Sequence, residues 1–263
     1  MYQEPETKIS YKYLREVIKN LKEPICILGG WGVFFHVNKK FKKIQGRNYL
    51  GSRDIDLGFH LNKNYNIEEM KNSSLASSLS ILQHKLDFKP ISFRLFKEIH
   101  NETEEELEKG HKIPAHLIFP MYIDPLVDFI PKKFKEVFGF QPIDEPLLRF
   151  VFENSNYRTE LKEFNRKLWL PNTELLLATK INALKARDKE HKKVKDICDI
   201  FVLIWYGNEI PITLRNKIAK FMPLKNIKKI LLMIEDEDYQ KAGLQVNHNV
   251  NEIKRVIALL IGK

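Results

Sequence analysis

The chain has 263 residues and a formal charge of +10, from 44 Lys and Arg against 34 Asp and Glu. Hydrophobic residues make up 43% of it, which is enough to bury a core and excludes wholesale disorder. No apolar run approaches the roughly 20 residues of a membrane-spanning helix, and residues 1–5 do not resemble a signal peptide. Two cysteines exclude a disulfide framework and a four-ligand zinc site. We therefore expect a cytoplasmic protein of one large or two modest domains, with no membrane partner.

The first part of the sequence alternates between helical and strand patterns. In chain order, the apolar spacing predicts a helix over 7–22, a strand over 25–28, a helix over 31–37, an irregular basic segment over 39–51, a strand over 54–61, a helix over 66–86, and strands over 91–96 and 117–130.

The second part is mostly helical in pattern. Its predicted elements are strands over 147–152 and 167–170, then helices over 173–187, 194–205, 213–221, 225–235 and 249–261. The sequence therefore predicts an α+β fold in which a mixed sheet with flanking helices, residues 1–140, is followed by a mostly helical C-terminal domain, residues 141–263.

Carboxylates are concentrated in two of the predicted strands. Asp54 and Asp56 are two residues apart, so their side chains point to the same face of one strand. Two like charges side by side are unfavourable unless a cation lies between them, and Mg²⁺ with oxygen ligands is a natural partner. The segment 122–130 offers Asp124 and Asp128 as candidates for a third carboxylate. The plain alternative is a solvent-exposed strand face and a turn-associated Asp.

A double glycine, Gly29-Gly30, separates the strand over 25–28 from the following helix. Backbone N–H groups are unpaired where a helix begins, and glycine lets a phosphate approach them closely. A Gly-Gly pair alone usually marks a turn. The order strand, Gly-Gly, helix, Asp-x-Asp is more specific than either motif alone.

The segment 28–31 (Leu-Gly-Gly-Trp) followed by 53–57 (Arg-Asp-Ile-Asp-Leu) resembles the signature of the DNA polymerase beta-type nucleotidyltransferases. The similarity is greatest to the small microbial branch that includes abortive-infection toxins and antibiotic nucleotidyltransferases. The segment 171–200 resembles the helical part of that branch, in which a Leu-rich helix carries a Lys and the next helix carries an Asp-x-x-Asp pair. The chain departs from the family in the longer spacing between its two motifs and in having Trp31 directly after the glycines.

The resemblance implies a role for each matching residue. It assigns nucleotide binding to Gly29, Gly30, Ser52, Arg53 and Lys180, catalysis to Asp54 and Asp56 with Asp124 or Asp128, metal binding to Asp54, Asp56 and Asp124, and a supporting role to Asp196, Asp199 and Arg187. The Asp pair would ion-pair with Lys180 or Arg187, or orient the nucleotide indirectly. The plain alternatives are a surface lysine and a helix cap.

The implied activity is metal-dependent transfer of a nucleoside monophosphate from an NTP such as ATP to an acceptor hydroxyl, with Mg²⁺ or Mn²⁺ as cofactor. The expected acceptor is RNA, for example a tRNA end, or a protein in a toxin–antitoxin setting, where a cognate antitoxin would be a partner. The helical domain would close the nucleotide cleft, and the third Asp would act as general base. The alternatives are a small-molecule (antibiotic-type) nucleotidyltransferase and a non-catalytic nucleotide-binding protein of the same fold. The charge of +10 ranks RNA above a cationic antibiotic as the acceptor.

Overall fold

The computed structural model describes residues 4–108 and 110–262. These residues form two compact units, and each unit is discontinuous in the sequence. The described residues of 3–31 and 51–170 form one, called the sheet unit below, and those of 32–50 and 171–263 form the other, called the helical unit. The predicted division near residue 140 stays a prediction, and the ends of its two domains, residues 1–3 and 263, lie outside the described residues.

The sheet unit contains the strands found among the described residues. Its elements are α1 (Glu4–Asn20), β1 (Ile25–Ile27), the start of α2 (Gly29–Gln45), β2 (Ile55–Phe59), α3 (Ile67–Lys71), α4 (Ser74–Ser80), β3 (Lys89–Ile91), β4 (Arg94–His100), β5 (Ile118–Val127), α5 (Phe134–Phe138), β6 (Ile143–Asp144), α6 (Leu148–Glu153), β7 (Arg158–Glu163) and β8 (Arg166–Pro171).

Among the described residues, the strands form one eight-stranded mixed sheet in the order β3-β4-β5-β2-β1-β8-β7, with β6 paired to β5. The central pair β2 and β5 is parallel, whereas β4 runs antiparallel to β5 and β1 runs antiparallel to β2. Alternate residues of β2, namely Ile55 and Leu57, are buried, which leaves the intervening polar positions for the opposite face. The mixed sheet with flanking helices that the sequence predicts is therefore confirmed.

The helical unit contains the rest of α2 and six further helices among its described residues. These are α7 (Thr173–Leu184), α8 (Glu190–Trp205), α9 (Pro211–Ile218), α10 (Leu224–Leu231), α11 (Asp236–Val246) and α12 (Val250–Ala258). The helix α8 is central, since it packs against α7, α11 and α12. Every residue from 194 to 204 is buried, as expected of a helix that is enclosed on all sides.

Several local predictions are wrong, and the reason in each case is a short or mixed pattern. The segment 147–152, predicted as a strand, is helix α6, because its buried residues Leu148 and Val151 are three apart on one helical face. The segment 39–51, predicted as irregular, continues α2 as far as Gln45, and the buried Phe41 extends the apolar face of that helix. The predicted helix over 66–86 is divided into α3, α4 and a π-helical turn over 81–85. Neither β7 nor α11 was expected from the sequence.

None of the helices in the described part of the chain combines the length and apolar character needed to cross a membrane.

Gly29 begins α2 with a φ of +56°, and an added Cβ atom would lie 1.7 Å from Oδ2 of Asp56. We therefore expect Gly29→Ala to reduce the free energy of unfolding by about 3 kcal/mol, from backbone strain plus a displaced carboxylate. Gly139→Ala is the matched control, because Gly139 also has positive φ (+76°) but open space around its Cα. The control should lose only about 1 kcal/mol in urea denaturation. Equal losses for the two variants would show that the close approach of Asp56 has no energetic consequence.

Candidate functional site

Three carboxylates lie on one face of the central sheet, and together they are called the carboxylate face. Asp56 on β2 and Asp124 on β5 are direct partners in the register of this parallel pair. Residues opposite each other on paired strands project to the same side, and Asp54, two residues before Asp56, shares that side. Asp124 is buried, whereas Asp54 and Asp56 are partly exposed. The topology therefore brings together three carboxylates that are separated by up to 70 positions in the sequence.

Arg94, at the start of β4, supplies a cation to the carboxylate face. Its Nε donates to Oδ1 of Asp124 at 2.8 Å, and its Nη2 donates to Oδ2 of the same carboxylate at 2.5 Å. The same Nη2 also lies 3.4 Å from Oδ2 of Asp54. The guanidinium thus uses a two-point hydrogen bond, the strongest arrangement for an arginine and a carboxylate, on Asp124 and extends to Asp54.

Aromatic rings hold the Arg94 side chain in this position. The guanidinium carbon lies 4.1 Å from the ring centroid of Tyr122 and 5.1 Å from that of Phe93. Tyr122 is two residues before Asp124 on β5, so both side chains are on the face that Arg94 occupies. Burial by itself would lower the pKa of Arg94, but hydrogen bonding to Asp124 and the charges of Asp124, Asp54 and Asp56 raise it above its ordinary value. All three carboxylates therefore stabilise this one cation.

The glycine motif lies beside the carboxylate face. The backbone N–H of Leu28 donates to the carbonyl oxygen of Asp56 at 3.0 Å, which fixes the end of β1 against β2 just before α2 begins. The absence of a side chain at Gly29 leaves the space in which the Asp56 carboxylate lies. A Cβ on Gly30 would lie 2.9 Å from both the carbonyl oxygen of Gly51 and Cβ of Ser52. Both glycines are therefore required by close packing around the start of α2.

Ser52 and Arg53, the other two nucleotide-binding candidates near the glycine motif, have different surroundings. Ser52 is buried against Gly30. Arg53 lies 3.0 Å from a carboxylate oxygen of Glu6 and its guanidinium is 5.5 Å from the ring centroid of Phe119. Their predicted contacts with a nucleotide stay predictions.

Asp128, the other candidate for the third carboxylate, has a different set of partners. Its Oδ1 accepts a hydrogen bond from the backbone N–H of Leu61 at 2.9 Å, and its Oδ2 is hydrogen-bonded to Nδ1 of His60. These contacts fix Asp128 to the chain just beyond the end of β2. The register places Asp124, and not Asp128, opposite Asp56.

A second group of charged residues is buried inside the helical unit. Lys180 on α7 lies 2.9 Å from Oδ1 of Asp196 and 2.8 Å from Oδ2 of Asp199, both on α8. Nε of Arg187 donates to the other oxygen of Asp196 at 2.6 Å. The pairing of Asp196 and Asp199 with Lys180 and Arg187 that the sequence suggests is therefore present. The predicted contact of Lys180 with nucleotide phosphates stays a prediction.

Two further residues complete this group, which is called the lysine–aspartate network. Lys195, one turn before Asp199, lies 2.5 Å from its Oδ1, and the hydroxyl of Tyr49 donates to the same oxygen at 2.6 Å. Asp199 is fully buried, and Lys195 is only 3% exposed. Burial raises the pKa of Tyr49, and the charge of Asp199 raises it further. Burial lowers the pKa of Lys195 below its ordinary value, an effect that Asp199 opposes.

The pKa values of Lys180 and Asp196 shift as expected for a buried ion pair. Burial opposes the charged amine of Lys180, yet the charges of Asp196 and Asp199 raise its pKa well above its ordinary value. Burial by itself would raise the pKa of Asp196, but Lys180 and Arg187 hold it below its ordinary value. The network is therefore stable only as a set of charged partners, since removing one would leave another buried charge without compensation.

Sequence reasoning missed Arg94, Tyr49 and Lys195. The spacing of Lys195 and Asp199, four residues apart on a helix, is a signal that could have paired them. Arg94 gives no comparable signal, because only the pairing of β4 with β5 brings it to Asp124.

The donor chemistry of the carboxylate face suits a hard divalent cation, because all three side chains offer oxygen ligands. The arrangement of these side chains does not suit it while Arg94 is in place. Within residues 4–108 and 110–262, no three His, Cys, Asp or Glu side chains form a group that could hold a metal ion. Binding of a metal ion here would therefore require the carboxylates to move closer together and the guanidinium to leave Asp124.

Comparisons with known proteins add little to this geometry. No protein-family model and no curated protein matches the chain. One solved structure, an antigenic nucleotidyltransferase-like protein from Paracoccidioides brasiliensis, is 15% identical over 86% of this chain and 92% of that chain, with a TM-score of 0.34. A similarity at this identity and TM-score does not establish a function for the chain.

The lysine–aspartate network gives a direct test of buried charge pairing. We expect Asp199→Asn to reduce the free energy of unfolding by about 3–5 kcal/mol, because Lys180 and Lys195 would lose their shared counter-charge. Asp236→Asn is the control in the same unit, since Asp236 is 81% exposed and pairs with Lys254 at the surface. The control should lose less than about 1 kcal/mol in urea denaturation. A loss for Asp199→Asn no larger than that of the control would contradict the role given to the network.

Proposed function

We propose that the chain transfers a nucleoside monophosphate from an NTP to an acceptor hydroxyl. One observation carries the proposal: Asp54, Asp56 and Asp124 share a face of two paired strands, and the glycine-opened start of α2 lies directly against Asp56. The start of a helix beside carboxylates is a common arrangement for phosphoryl transfer, and its presence in the sheet unit supports the proposal.

The phosphate-binding part of the proposed site is the start of α2. The first N–H groups of a helix have no partner within the helix, and the helix dipole favours an anion at that end. With 17 residues, α2 is long enough to develop such a dipole. Gly29 and Gly30 would keep the Asp56 carboxylate and the backbone of Gly51 close to this end of the helix.

The carboxylates have separate proposed roles. Asp124 would accept the proton of the attacking hydroxyl. Asp54, Asp56 and Asp124 would hold Mg²⁺, or Mn²⁺ in its place, and the ion would neutralise charge on the phosphates. Asp128 has no direct part in this proposal because of its bonds to His60 and Leu61.

The acceptor in this proposal is RNA, with a tRNA end as one example. The formal charge of +10 favours a polyanion over a cationic antibiotic. Exposed basic side chains on and after α2 add to this argument, namely Lys39, Lys40, Lys42, Lys43 and Arg47. A protein hydroxyl in a toxin–antitoxin setting, with a cognate antitoxin partner, is the other acceptor that the test must distinguish.

The test is transfer of label from each of the four α-³²P-labelled NTPs in the presence of Mg²⁺ and total RNA. We expect labelled RNA with the wild-type protein, and a loss of at least about a hundredfold for Asp124→Asn, as is typical when a general base is removed. Asp54→Asn/Asp56→Asn should also be inactive. Each change keeps the shape of the side chain and removes its charge.

The outcomes separate the candidate functions. Label in the protein instead of RNA would favour the protein acceptor. An unlabelled reaction with every NTP would contradict an RNA or protein acceptor and favour the small-molecule nucleotidyltransferase or the non-catalytic nucleotide-binding protein. Equal transfer by the wild type and Asp54→Asn/Asp56→Asn would show that the carboxylate face is not the site of chemistry.

A further inference from the structure

Arg94 is seated where a ligand of the carboxylate face would lie. It engages both oxygens of Asp124, at 2.8 and 2.5 Å, and approaches Asp54 at 3.4 Å. A metal ion bound by Asp124 would need at least one of the same oxygens. A guanidinium and a divalent cation on one carboxylate would also repel each other at short range.

The position of Arg94 is built into the sheet. Its side chain is only 17% exposed. The guanidinium is stacked on the ring of Tyr122 and is bonded to the carboxylate of Asp124. An arginine that merely balanced surface charge would not need both restraints. The strand β4, which carries Arg94, pairs with β5 along its length.

We propose that Arg94 is the resident cation of the carboxylate face, and that it excludes a divalent metal ion until its guanidinium leaves Asp124. This inference deepens the proposed function and rests on it, because it assigns regulation to the same site. The apparent affinity for a metal ion is reduced by the fraction of molecules in which the site is open. Arg94 therefore sets the metal affinity of the protein through its own equilibrium between bound and withdrawn positions.

The test is a titration of the protein with Mn²⁺ in the absence of nucleotide. The electron paramagnetic resonance signal of the free ion measures how much Mn²⁺ stays unbound. Arg94→Met keeps an apolar stem for contact with Tyr122 and removes the charge. We expect it to bind Mn²⁺ at least about tenfold more tightly than the wild type, which corresponds to a site open in a tenth or less of wild-type molecules. Adding Asp124→Asn to this variant should abolish the gain.

Arg158→Met is the matched control. Arg158 is also in the sheet unit, is 15% exposed, and stacks on the ring of Trp169 at 3.7 Å while lying 3.8 Å from a carboxylate oxygen of Glu160. Its removal should leave Mn²⁺ affinity at the wild-type value. Arg94→Lys, which keeps a charge but cannot form the two-point bond, should give an intermediate affinity.

Circular dichroism establishes that each variant is folded, and Arg94→Lys carries the test if Arg94→Met does not fold. Unchanged Mn²⁺ affinity in the folded Arg94 variants would overturn the inference. Because the measurement needs no NTP, it separates the two proposals: a tenfold gain without nucleotidyl transfer would support the role of Arg94 and contradict the proposed activity. Nucleotidyl transfer by the wild type, together with an Mn²⁺ affinity that does not depend on Arg94, would support the proposed activity and contradict the role of Arg94.

Discussion

The repulsion among three carboxylates on one face of the sheet is the constraint on which the site depends. Asp56 and Asp124 are opposite each other in the register of β2 and β5, and Asp54 shares their side. Such a group needs a cation, and β4 provides one in Arg94. The order of strands β4-β5-β2-β1 therefore has a chemical consequence: it brings a guanidinium, three carboxylates and the start of α2 into one part of the sheet unit.

The helical unit also contains neighbouring carboxylates, but their charges are balanced by several cations. Asp196 and Asp199 are buried on α8, and they are held by Lys180, Lys195 and Arg187 at distances of 2.5 to 2.9 Å. Lys180 and Lys195 are buried on α7 and α8, and Arg187 lies in the segment that joins these helices. Arg94 instead belongs to a strand near the end of the sheet order, where Tyr122, Phe93 and Asp124 contact its guanidinium. The network therefore has a structural role, whereas the proposal above treats Arg94 as a cation that a metal ion can replace.

Sequence patterns predicted the parts of the fold that have strong periodicity. The alternation around Asp54 and Asp56 identified β2 and placed both carboxylates on one face, and the double glycine marked the start of α2. The segment 147–152 was assigned wrongly, because a short apolar run suits a strand and a buried helical turn equally well. Arg94 could not be found in this way, since its partners depend on strand pairing between segments 30 residues apart, which no local pattern encodes.

The central claim is that Arg94 and a divalent cation exclude each other on the carboxylate face. The most direct measurement is a crystal structure of the wild-type protein soaked in Mn²⁺, with the ion located by its anomalous scattering. The account predicts a manganese peak among Asp54, Asp56 and Asp124, with the Arg94 guanidinium no longer bonded to Asp124. A manganese ion on these carboxylates with both hydrogen bonds from Arg94 to Asp124 intact would contradict it.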